Sequence, residues 1–596
     1  MAETMNGLKR TSYCGRLSKE NVGKEEVVCG WVQKQRDKGH LIFIDLRDRT
    51  GVVQLVFDDN TDREVFEKAA SARAEYVLMA KGIVRQREAV NTEISTGEIE
   101  VYVTELRVLS KAQTPPFEIT DKSKVKEELR LKYRYLDLRR KTLQEKMMLR
   151  HQIAKVTRDY FYENDFLEIE TPMLIKSTPE GARDYLVPSR IHHGRFYALP
   201  QSPQIYKQLL MLSGFDRYIQ LARCFRDEDL RADRQPEFTQ IDLEMSFVTQ
   251  EDIMQMLEGY IKRLYKEVKG ITIADMPRLT YHEAMERYGS DKPDTRFGME
   301  IVNLTELVQN SEFPVFANAI AEGGSVRCIV AKNAASVLTR KAIDKLTEQA
   351  KGIGAKGLAF IRWADEKPNC SFAKFMGEEE LTSLLNHLGC EQGDVVLIVA
   401  DKDRVVLPTL GQLRLTLGKQ LELIPEGMYN FLWITEFPFF EWDEESGSWL
   451  AMHHPFTMPL EECLPYIDSD PGSVRAQAYD MVVNGVELLS GSIRITDYEL
   501  QQKMFEALGL TEEEIEAKFG FLLEAFKYGA PPHGGAALGL DRIVMTMCGC
   551  DNLRDVVAFP KVQNASELMS QCPSAVDQKS LDDLAIAVTE TEKEEE

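Results

Sequence analysis

Two short runs of residues joined by a charged loop constrain the fold of this chain most strongly. Phe225–Glu228 and Pro236–Asp242 have the alternation of β-strands, and Asp229–Gln235 between them is mostly charged. Side chains two positions apart share one face of a strand, so each run presents one polar face. If the two faces coincide, a single surface carries Arg226, Glu228, Phe238, Gln240 and Asp242.

The residue types on that surface suit a purine nucleotide and an amino group. An arginine binds a phosphate, a carboxylate accepts from an exocyclic amine, an aromatic ring stacks on a purine and an acid pairs with an ammonium group. Charges without partners are costly to bury, so a purely structural hairpin would rarely collect so many on one side. The pattern indicates an ATP site, and a solvated charged hairpin is the alternative.

Composition sets the class of protein. The 596 residues, 43% of them hydrophobic, suffice for about four domains with ample cores. The net charge of −23 argues against a general nucleic-acid coat and leaves room for a local RNA-binding surface. The acidic tail, Thr589–Glu596, is expected to be disordered.

The cysteine pattern and the apolar runs predict a cytoplasmic protein. The ten cysteines show no paired CxxC spacing, which favours reduced thiols over a zinc site. The start, Met1–Asn6, has no apolar signal region. The longest apolar run, Val395–Ala400, is far too short to cross a membrane, so no membrane partner is expected.

The first 110 residues predict a small closed barrel of the OB type. Five alternating runs separated by Gly and Asp turns carry this prediction. They are Val27–Lys34, His40–Arg47, Gly51–Phe57, Tyr76–Val84 and Glu98–Leu109.

One face of this barrel has the residues that a single-stranded base requires. Ile42, Ile44 and Leu46 form an apolar interior face, which turns Phe43 outward, and Gln54 on the next strand also faces out. An outward aromatic ring beside polar groups provides stacking and hydrogen bonds to a base. The alternative is that another domain covers Phe43.

A helix start near residue 202 brings polar side chains together. Ser202 is the predicted N-cap and Pro203 the first helical residue of a helix that continues through Gln208. Gln204 and Lys207 then project near the N-terminal end of this helix. For Lys207, a solvated helix lysine is the alternative reading.

A hairpin turn at Asn484–Gly485 predicts a metal site. Its register pairs Val482 with Glu487 and brings Asp480 onto the same face as Glu487. Two carboxylates close together are unfavourable without a cation between them, and Mg²⁺ is the natural cation beside ATP phosphates.

Two further stretches extend this predicted site. Arg494 would face away from Glu487 in a regular strand, and a bulge at Ser490–Gly491 would bring both to one face. The glycine-rich run Pro531–Arg542 leads into a predicted helix whose N-terminus suits phosphate, with Arg542 in its first turn.

These segments resemble the three motifs of the class II aminoacyl-tRNA synthetases, and their sequences are most similar to those of the bacterial-type aspartyl-tRNA synthetases. Phe166–Pro172, which follows a predicted helix at Leu143–Asn164, resembles motif 1. The hairpin around Asp229–Gln235 resembles motif 2, and Pro531–Arg542 resembles motif 3. Similar wording starts at Cys29–Trp31, so the resemblance covers nearly the whole chain.

The resemblance implies a multidomain α+β protein. It combines an N-terminal OB-type β-barrel, a class II catalytic domain with a largely antiparallel β-sheet and flanking helices, and an inserted α/β domain. The implied domains are an anticodon-binding barrel at 1–110, a hinge at 111–142, catalytic parts at 143–297 and 421–562, the bacterial-type insertion at 298–420 and a C-terminal extension at 563–596.

The implied activity is ATP-dependent ligation of L-aspartate to tRNA(Asp), with Mg²⁺, by a homodimer that pairs through the motif 1 region. Charging of tRNA(Asn) stays open. Lys38 lies beside the base-reading strand, where the family varies between enzymes strict for tRNA(Asp) and enzymes that also charge tRNA(Asn).

The resemblance also implies the role of each candidate residue. Catalytic residues are Arg226 and Arg542. ATP-binding residues are Arg226, Asp227, Glu228, Gln235, Phe238, Glu487, Gly539, Leu540, Asp541 and Arg542. Aspartate-binding residues are Glu180, Ser202, Gln204, Lys207, Arg226, Asp242, His453 and Arg494. Anticodon-binding residues are Arg36, Phe43 and Gln54, and the metal ligands are Asp480 and Glu487.

Three other functions stay open from the sequence. An asparaginyl- or lysyl-type enzyme would share the ATP site, but Lys207 with Arg494 favours a dicarboxylic amino acid. A non-catalytic tRNA-binding paralogue would have no need of Arg226, Glu487 and Arg542 together. An ATP-dependent amidating enzyme would have no use for a base-reading barrel.

Overall fold

The computed structural model describes residues 2–178, 181–230, 234–444 and 447–589. Two predictions lie outside these residues: the lid acid Glu180 and the disordered acidic tail from residue 590 onward. The chain divides into two compact units, Met1–Leu149 with Arg554–Ser574, and Arg150–Leu553 with Ala575–Glu596. The predicted domain boundaries stay predictions.

The first unit contains the predicted five-stranded closed barrel, in the order β1-β2-β3-β5-β4. The elements are β1 (Glu25–Asp37), β2 (Ile42–Asp48), β3 (Gly51–Phe57), α1 (Arg63–Ser71), β4 (Val77–Gln86) and β5 (Ile99–Ser110). The alternation places the apolar side chains of β2 and β3 in the barrel core, where Ile42, Ile44, Leu46, Val53, Leu55 and Phe57 are fully buried.

Three helices follow the barrel: α2 (Glu127–Lys132), α3 (Arg134–Asp137) and α4 (Lys141–Glu163). Buried Arg134 at the start of α3 donates to the backbone carbonyls of Arg554, Val557 and Ala558, which ties the segment after residue 553 to this unit. A guanidinium with several carbonyl partners holds irregular backbone that no sheet satisfies.

The second unit begins with the elements of motifs 1 and 2. They are β6 (Leu167–Glu168), β7 (Leu186–Pro188), β8 (Phe196–Ala198), α5 (Gln204–Leu212), β9 (Arg217–Phe225), β10 (Glu237–Ser246), α6 (Gln250–Lys269), β11 (Arg278–Thr280) and α7 (Tyr281–Tyr288). The motif 1 strand is short, since β6 keeps only two residues of the predicted run.

An antiparallel five-stranded sheet with helices on both faces forms the insertion. Its elements are β12 (Val302–Asn303), α8 (Pro314–Ala321), β13 (Ser325–Ala331), α9 (Arg340–Ile353), β14 (Ala359–Arg362), β15 (Asn369–Cys370), α10 (Glu378–His387), β16 (Val395–Asp401) and α11 (Asp403–Gln420). The apolar run that the sequence marks is β16, which alternates between a core with α9 and α11 and a core with α8 and α10.

The rest of the unit completes an eight-stranded sheet in the order β11-β17-β20-β21-β22-β10-β9-β6. The remaining elements are β17 (Phe431–Thr435), β18 (Phe440–Asp443), β19 (Ser448–Ala451), β20 (Ala478–Val483), β21 (Val486–Ile493), α12 (Tyr498–Ala507), α13 (Glu512–Phe526), β22 (His533–Gly539), α14 (Leu540–Cys548) and α15 (Gln578–Leu584). Only the edge pairs β11–β17 and β6–β9 are parallel in this sheet, as far as the described residues extend. No helix of the described chain has the length and apolar character to cross a membrane.

Candidate active site

A cavity of about 470 Å³ lies over the central strands of the eight-stranded sheet and collects most of the predicted catalytic-domain residues. These are Ser202, Gln204, Lys207, Arg226, Glu228, Gln235, Phe238, Asp242, His453, Asp480, Glu487, Arg494, Gly539, Asp541 and Arg542. Asp227 is not among the residues that line the cavity, and its carboxylate lies 3.8 Å from Arg183 Nε. Leu540, the first residue of α14, is buried in the core.

The motif 2 strand ends earlier than the sequence predicts. β9 stops at Phe225, and one further backbone bond, from Arg226 N to Pro236 O at 2.9 Å, carries the ladder into the loop. The Arg226 guanidinium lies 5.2 Å from the ring centre of Phe238, so a cation and an aromatic plate stand together at the cavity wall.

Glu228 at the mouth of the cavity is held by the motif 2 loop. Arg234 donates to its carboxylate at 2.6 Å. Both side chains are partly exposed, so the ion pair is weak enough to exchange for a ligand.

Three buried charges, Lys207, Asp242 and Arg494, line the cavity, and buried Glu244 pairs with the two cations. Lys207 Nζ lies 2.6 Å from Asp242 Oδ1 and 3.3 Å from Glu244 Oε2. Arg494 donates to both carboxylate oxygens of Glu244, at 2.9 and 3.1 Å. The cations therefore already have counter-charges without a ligand. Sequence analysis missed Glu244, although it follows Asp242 by two residues and so shares its strand face.

Glycine in the neighbouring strand makes room for this network. A Cβ on Gly535 would lie 2.0 Å from Glu244 Oε2, so any larger residue on β22 would displace the carboxylate. Gly534 and Gly535 thus lie in a central strand, where they permit close packing. The run leads into α14, as the sequence predicts.

Burial raises the pKa values of Asp242 and Glu244, whereas the charges of Lys207 and Arg494 lower them. Burial alone would raise the pKa of Glu244, but Arg494 and Lys207 outweigh it and hold the pKa below its usual value. Burial raises the pKa of Asp242 to about 6, and Lys207 limits the rise. Glu244 is the stronger acid because the Arg494 fork contacts both of its oxygens.

His454, to which the sequence analysis assigns no role, lines the cavity together with His453. Burial and neighbouring Arg494 lower the pKa of His454 well below its usual value, so the ring is neutral. Its Nε2 accepts from Arg494 Nη1 at 2.5 Å, which leaves the ring proton on Nδ1 near Thr457. His454 therefore orients the arginine.

Several buried polar atoms at the cavity wall have no hydrogen-bond partner among the described residues. They are Gln204 Nε2, Arg226 Nε, Asp242 Oδ2 and His453 Nδ1. A buried polar atom without a partner is costly, so the cavity is built for a ligand that supplies both donors and acceptors.

The helix that carries Gln204 begins one residue later than predicted. Pro203 occupies the N-cap position of α5, and no side chain caps the helix there. Ser202 still accepts from the Gln204 backbone N–H at 3.3 Å, which keeps its hydroxyl at the cavity. Lys207 is 2% exposed, so it is no solvated lysine.

The predicted hairpin register is found, but its bulge lies elsewhere. The Asn484–Gly485 turn pairs Val482 with Glu487, and the register then shifts so that Leu488 is the extra residue. This bulge, and not one at Ser490–Gly491, allows Glu487 and Arg494 to line the same cavity.

Gly491 has a different reason to be glycine. A Cβ there would lie 2.5 Å from Gly535 O and 2.5 Å from the Tyr479 ring. The strand pairing on both sides of Gly491 is regular. Close packing inside a central strand therefore explains a residue that the sequence pattern assigned to a bulge.

Glu487 is held between two cations. Lys292 Nζ lies 3.0 Å from one carboxylate oxygen, and Arg542 Nη1 lies 3.5 Å from the other. Burial alone would raise the pKa of Glu487, but Lys292 and Arg542 lower it. Sequence analysis missed Lys292, because nothing local connects it with the hairpin.

Asp480 lies beside another unpredicted acid. Its Oδ1 is 3.4 Å from His453 Nε2. Burial raises the pKa of Asp291, and the charges of Asp480 and Glu487 raise it further. Lys292 acts against this rise and also pairs with Glu487, so acids and cations are mixed here. Among the described residues, no three acidic, histidine or cysteine side chains are arranged to hold a metal ion on their own.

The predicted base-reading surface of the barrel is a hydrogen-bonded chain. Arg36 forms a two-bond pair with Asp45, at 2.8 and 2.9 Å, and donates to Gln54 Oε1 at 3.0 Å. Gln54 in turn donates to Glu100 at 2.9 Å. Gln54 points away from the barrel core as predicted, but these neighbours leave it only 4% exposed.

Phe43 stands next to this chain with a cation on either side. The Arg36 and Lys38 side chains lie 5.8 and 6.0 Å from its ring centre. A partly exposed ring flanked by cations suits a stacked base with its phosphate.

Two family comparisons agree with this geometry. The profile described as tRNA synthetases class II (D, K and N) matches residues 126–563, and the OB-fold nucleic acid binding domain matches residues 27–109. The chain belongs to the class II aminoacyl-tRNA synthetases. Barrel and catalytic sheet thus match the two parts expected of this family.

Curated relatives narrow the family to the aspartate–tRNA ligases. The chain is 58% identical over 592 residues to "Aspartate--tRNA ligase" of Ruminiclostridium cellulolyticum, covering 99% of this chain and 100% of the relative. It is 57% identical over 592 residues, with the same coverage, to "Aspartate--tRNA(Asp/Asn) ligase" of Caldanaerobacter subterraneus. The predicted family, fold class and ATP-dependent ligase activity are confirmed.

A solved structure shares the fold. The putative aspartyl-tRNA synthetase of Leishmania major is 21% identical and covers 94% of this chain and 96% of its own, with a TM-score of 0.60. At that identity the likeness supports the fold alone.

Proposed function

We propose that this class II synthetase activates L-aspartate with ATP and transfers it to tRNA(Asp). The aspartate α-carboxylate attacks the α-phosphorus of ATP, and pyrophosphate leaves. The terminal ribose hydroxyl of tRNA then attacks the aspartyl-adenylate, and AMP leaves. The observation that carries the choice of amino acid is that buried Lys207 and Arg494 line the cavity, where they pair with Asp242 and Glu244.

The atoms without partners support an assignment for each group of aspartate. Asp242 Oδ2, with Ser202 and Gln204, would bind the ammonium group. Lys207 and Arg494 would hold the side-chain carboxylate as cationic donors. His453 would offer its free Nδ1 to the substrate, and Glu180 remains a predicted lid contact.

The ATP assignments rest on Arg226 and Arg542, which both line the cavity. Arg226 would neutralise the α-phosphate, and Phe238 would stack on the adenine. Arg542 would bind the γ-phosphate. The nucleophile is already an anion, so positioning and charge neutralisation carry catalysis and no general base is required. The Glu228 carboxylate would release Arg234 and accept a hydrogen bond from the adenine amino group instead.

The other motif 2 and 3 residues would act at the edges of the ATP site. Gln235 and Gly539 line the cavity and stay candidate contacts. Asp541 accepts from Arg150 and from the Thr239 backbone N–H at 3.1 Å, so it would anchor α14 to β10 and touch ATP little.

Mg²⁺ fits the acids at the hairpin. Asp480 and Glu487 supply carboxylate oxygens, and Mg²⁺ typically binds one or two carboxylates together with substrate phosphates. Both acids line the cavity, Asp480 beside His453 and Glu487 beside Lys292 and Arg542. The ion would neutralise phosphate charge, while Asp480 and Glu487 orient it beside Arg542.

The test of the proposed function is ATP–pyrophosphate exchange with a panel of amino acids, followed by charging of purified tRNA(Asp) and tRNA(Asn). Exchange that depends on aspartate, with charging of tRNA(Asp), supports the proposal. Exchange that depends on lysine or asparagine would refute it. Charging of both tRNAs would extend the proposal to tRNA(Asn), for which Lys38 is the residue to vary.

The pKa of Asp242 predicts how activity depends on pH. Protonation removes the charge that would pair with the substrate ammonium group, so kcat/KM for aspartate should fall about tenfold per pH unit below about 6. The KM for ATP should change little and serves as the internal control. A kcat/KM that stays constant down to pH 5 in the exchange assay would contradict the assignment.

A rise in pH that ionises Asp242 should increase activity but decrease the stability of the fold. Its native pKa of about 6 exceeds the ordinary 3.8, so between these values the native state binds more protons than the unfolded state. Asp242 therefore lowers the free energy of unfolding as pH rises through this window.

The Phe43→Ala variant is predicted to weaken tRNA charging and spare exchange. Loss of one stacked base costs about 1–3 kcal/mol, which raises the KM for tRNA about 5- to 150-fold. Phe43→Trp keeps a stacking surface and is the matched control. Equal losses in exchange and charging would make Phe43 a folding residue.

A homodimer is proposed from the motif 1 region. β6 is the edge strand of the sheet, and the apolar side chains of Leu167 and Leu174 nearby are 50% and 51% exposed in the isolated chain. An exposed apolar edge calls for a covering surface, and a second copy supplies one. The Leu174→Glu variant should sediment as a monomer. A parent protein that sediments as a monomer and is fully active would contradict the proposal.

A cytoplasmic location is also proposed. All ten cysteines lie within the described residues and are reduced thiols. Six of them are buried in the cores of the chain, where they behave as small apolar residues. Such a set fits a reducing compartment, and fractionation of cells that express the tagged chain tests it.

A further inference from the structure

Lys292, which lies outside the three motifs, places its ammonium group beside the Glu487 carboxylate that is assigned to Mg²⁺. Lys292 Nζ lies 3.0 Å from Glu487 Oε2, and both side chains line the cavity. Arg542 approaches the other oxygen of the same carboxylate at 3.5 Å. The carboxylate assigned to Mg²⁺ is thus neutralised by the protein itself when no nucleotide is bound.

The backbone that carries Lys292 is fixed by the insertion. Buried Arg414 of α11 donates to the carbonyls of Asp294, Phe297 and Gly298 just beyond it. A Cβ on Gly485 would come within 3.8 Å of Lys292 O, so this segment also packs on the hairpin turn. Only the flexible lysine side chain can therefore change its partner.

We propose that Lys292 is a further ATP-binding residue, which holds Glu487 in the free enzyme and moves to the leaving pyrophosphate when ATP enters with its divalent ion. This inference rests on the proposed function and deepens it. A divalent ion bound at Glu487 would repel the Lys292 ammonium group, and the ATP phosphates would attract that group. Lysine suits this exchange because its charge is compact and its four-carbon stem is mobile.

The charges around Lys292 support this exchange. The Lys292 ammonium group lies 3.0 Å from one Glu487 oxygen, and the neighbouring Asp291 also lines the cavity. The pair is partly exposed, with 41% of the Lys292 side chain and 26% of the Glu487 side chain accessible, which keeps the bond exchangeable.

The first test is Mn²⁺ binding to the full-length protein without nucleotide, by electron paramagnetic resonance of the free ion. Lys292→Met should bind Mn²⁺ about fivefold more tightly than the parent, because the competing ammonium group is gone. Lys292→Arg keeps the charge and should bind Mn²⁺ as the parent does. Lys262→Met is the matched control, since Lys262 also pairs with an acid, Asp275, at 3.0 Å, is 36% exposed and does not line the cavity.

The second test is the KM for pyrophosphate in aspartate-dependent exchange. Lys292→Met should raise this KM about tenfold and leave the KM for aspartate unchanged, while Lys292→Arg should recover most of the loss. Unchanged Mn²⁺ affinity, or unchanged KM for pyrophosphate, in a Lys292→Met protein with the parent's Tm would overturn the inference. A parent that shows no aspartate-dependent exchange would instead overturn the proposed function, and the Mn²⁺ result would stand by itself.

Discussion

Arg494→Met is expected to lower aspartate-dependent pyrophosphate exchange at least about a thousandfold and the free energy of unfolding by about 3–5 kcal/mol. Arg494 and its partner Glu244 are both buried, and the guanidinium contacts both carboxylate oxygens. Its loss leaves Glu244 with Lys207 alone at 3.3 Å and removes a donor for the substrate carboxylate. Exchange kinetics and urea unfolding measure the two effects.

A second substitution separates the two effects of Arg494. Glu244→Gln in the Arg494→Met background removes the buried charge that has lost its partner, so much of the stability should return. Activity should stay low, because no arginine faces the substrate. Recovery of exchange in the double variant would show that Arg494 acts only through stability.

L-Asparagine is expected to be at least about a thousandfold worse than L-aspartate in kcat/KM for exchange. Lys207 and Arg494 line the cavity and carry only donor groups, and the amide nitrogen of asparagine can likewise only donate. A site built for one hydrogen-bonding pattern rejects the mismatched analogue by such factors. Asparagine is not rejected for want of a negative charge, because Asp242 and Glu244 already balance the charges of Lys207 and Arg494.

The measurement needs asparagine freed of traces of aspartate, since a contamination of one part in a thousand would mimic weak activity. ATP affinity in the presence of each amino acid is the control for the shared nucleotide site. A ratio below about ten would contradict the assignment of Lys207 and Arg494 to the side chain and would favour an asparaginyl-type enzyme.

Local periodicity determined much of the fold. The alternation along Ile42–Leu46 predicted which side chains fill the barrel, and the Asn484–Gly485 turn predicted the pairing of Val482 with Glu487. The shared face of Phe238, Gln240 and Asp242 predicted one wall of the cavity. These predictions hold because each depends on neighbours within one strand or one hairpin, where backbone geometry alone sets the side-chain direction.

The positions of the bulge and of the strand end needed the folded sheet. The extra residue is Leu488, and Gly491 packs closely against Tyr479 and Gly535. Strand β9 ends at Phe225, where the ladder gives way to the loop. Both depend on how three neighbouring strands fit together, which no single run of residues encodes.

The charge network was decided by tertiary structure alone. Arg494 and Glu244 are 250 residues apart, and Lys292 meets Glu487 from the other side of the insertion. Sequence spacing determines which side chains point to one face of a strand. Which distant charges then become partners depends on how the strands and loops are brought together, since a buried charge is stable only beside a counter-charge that the fold itself delivers.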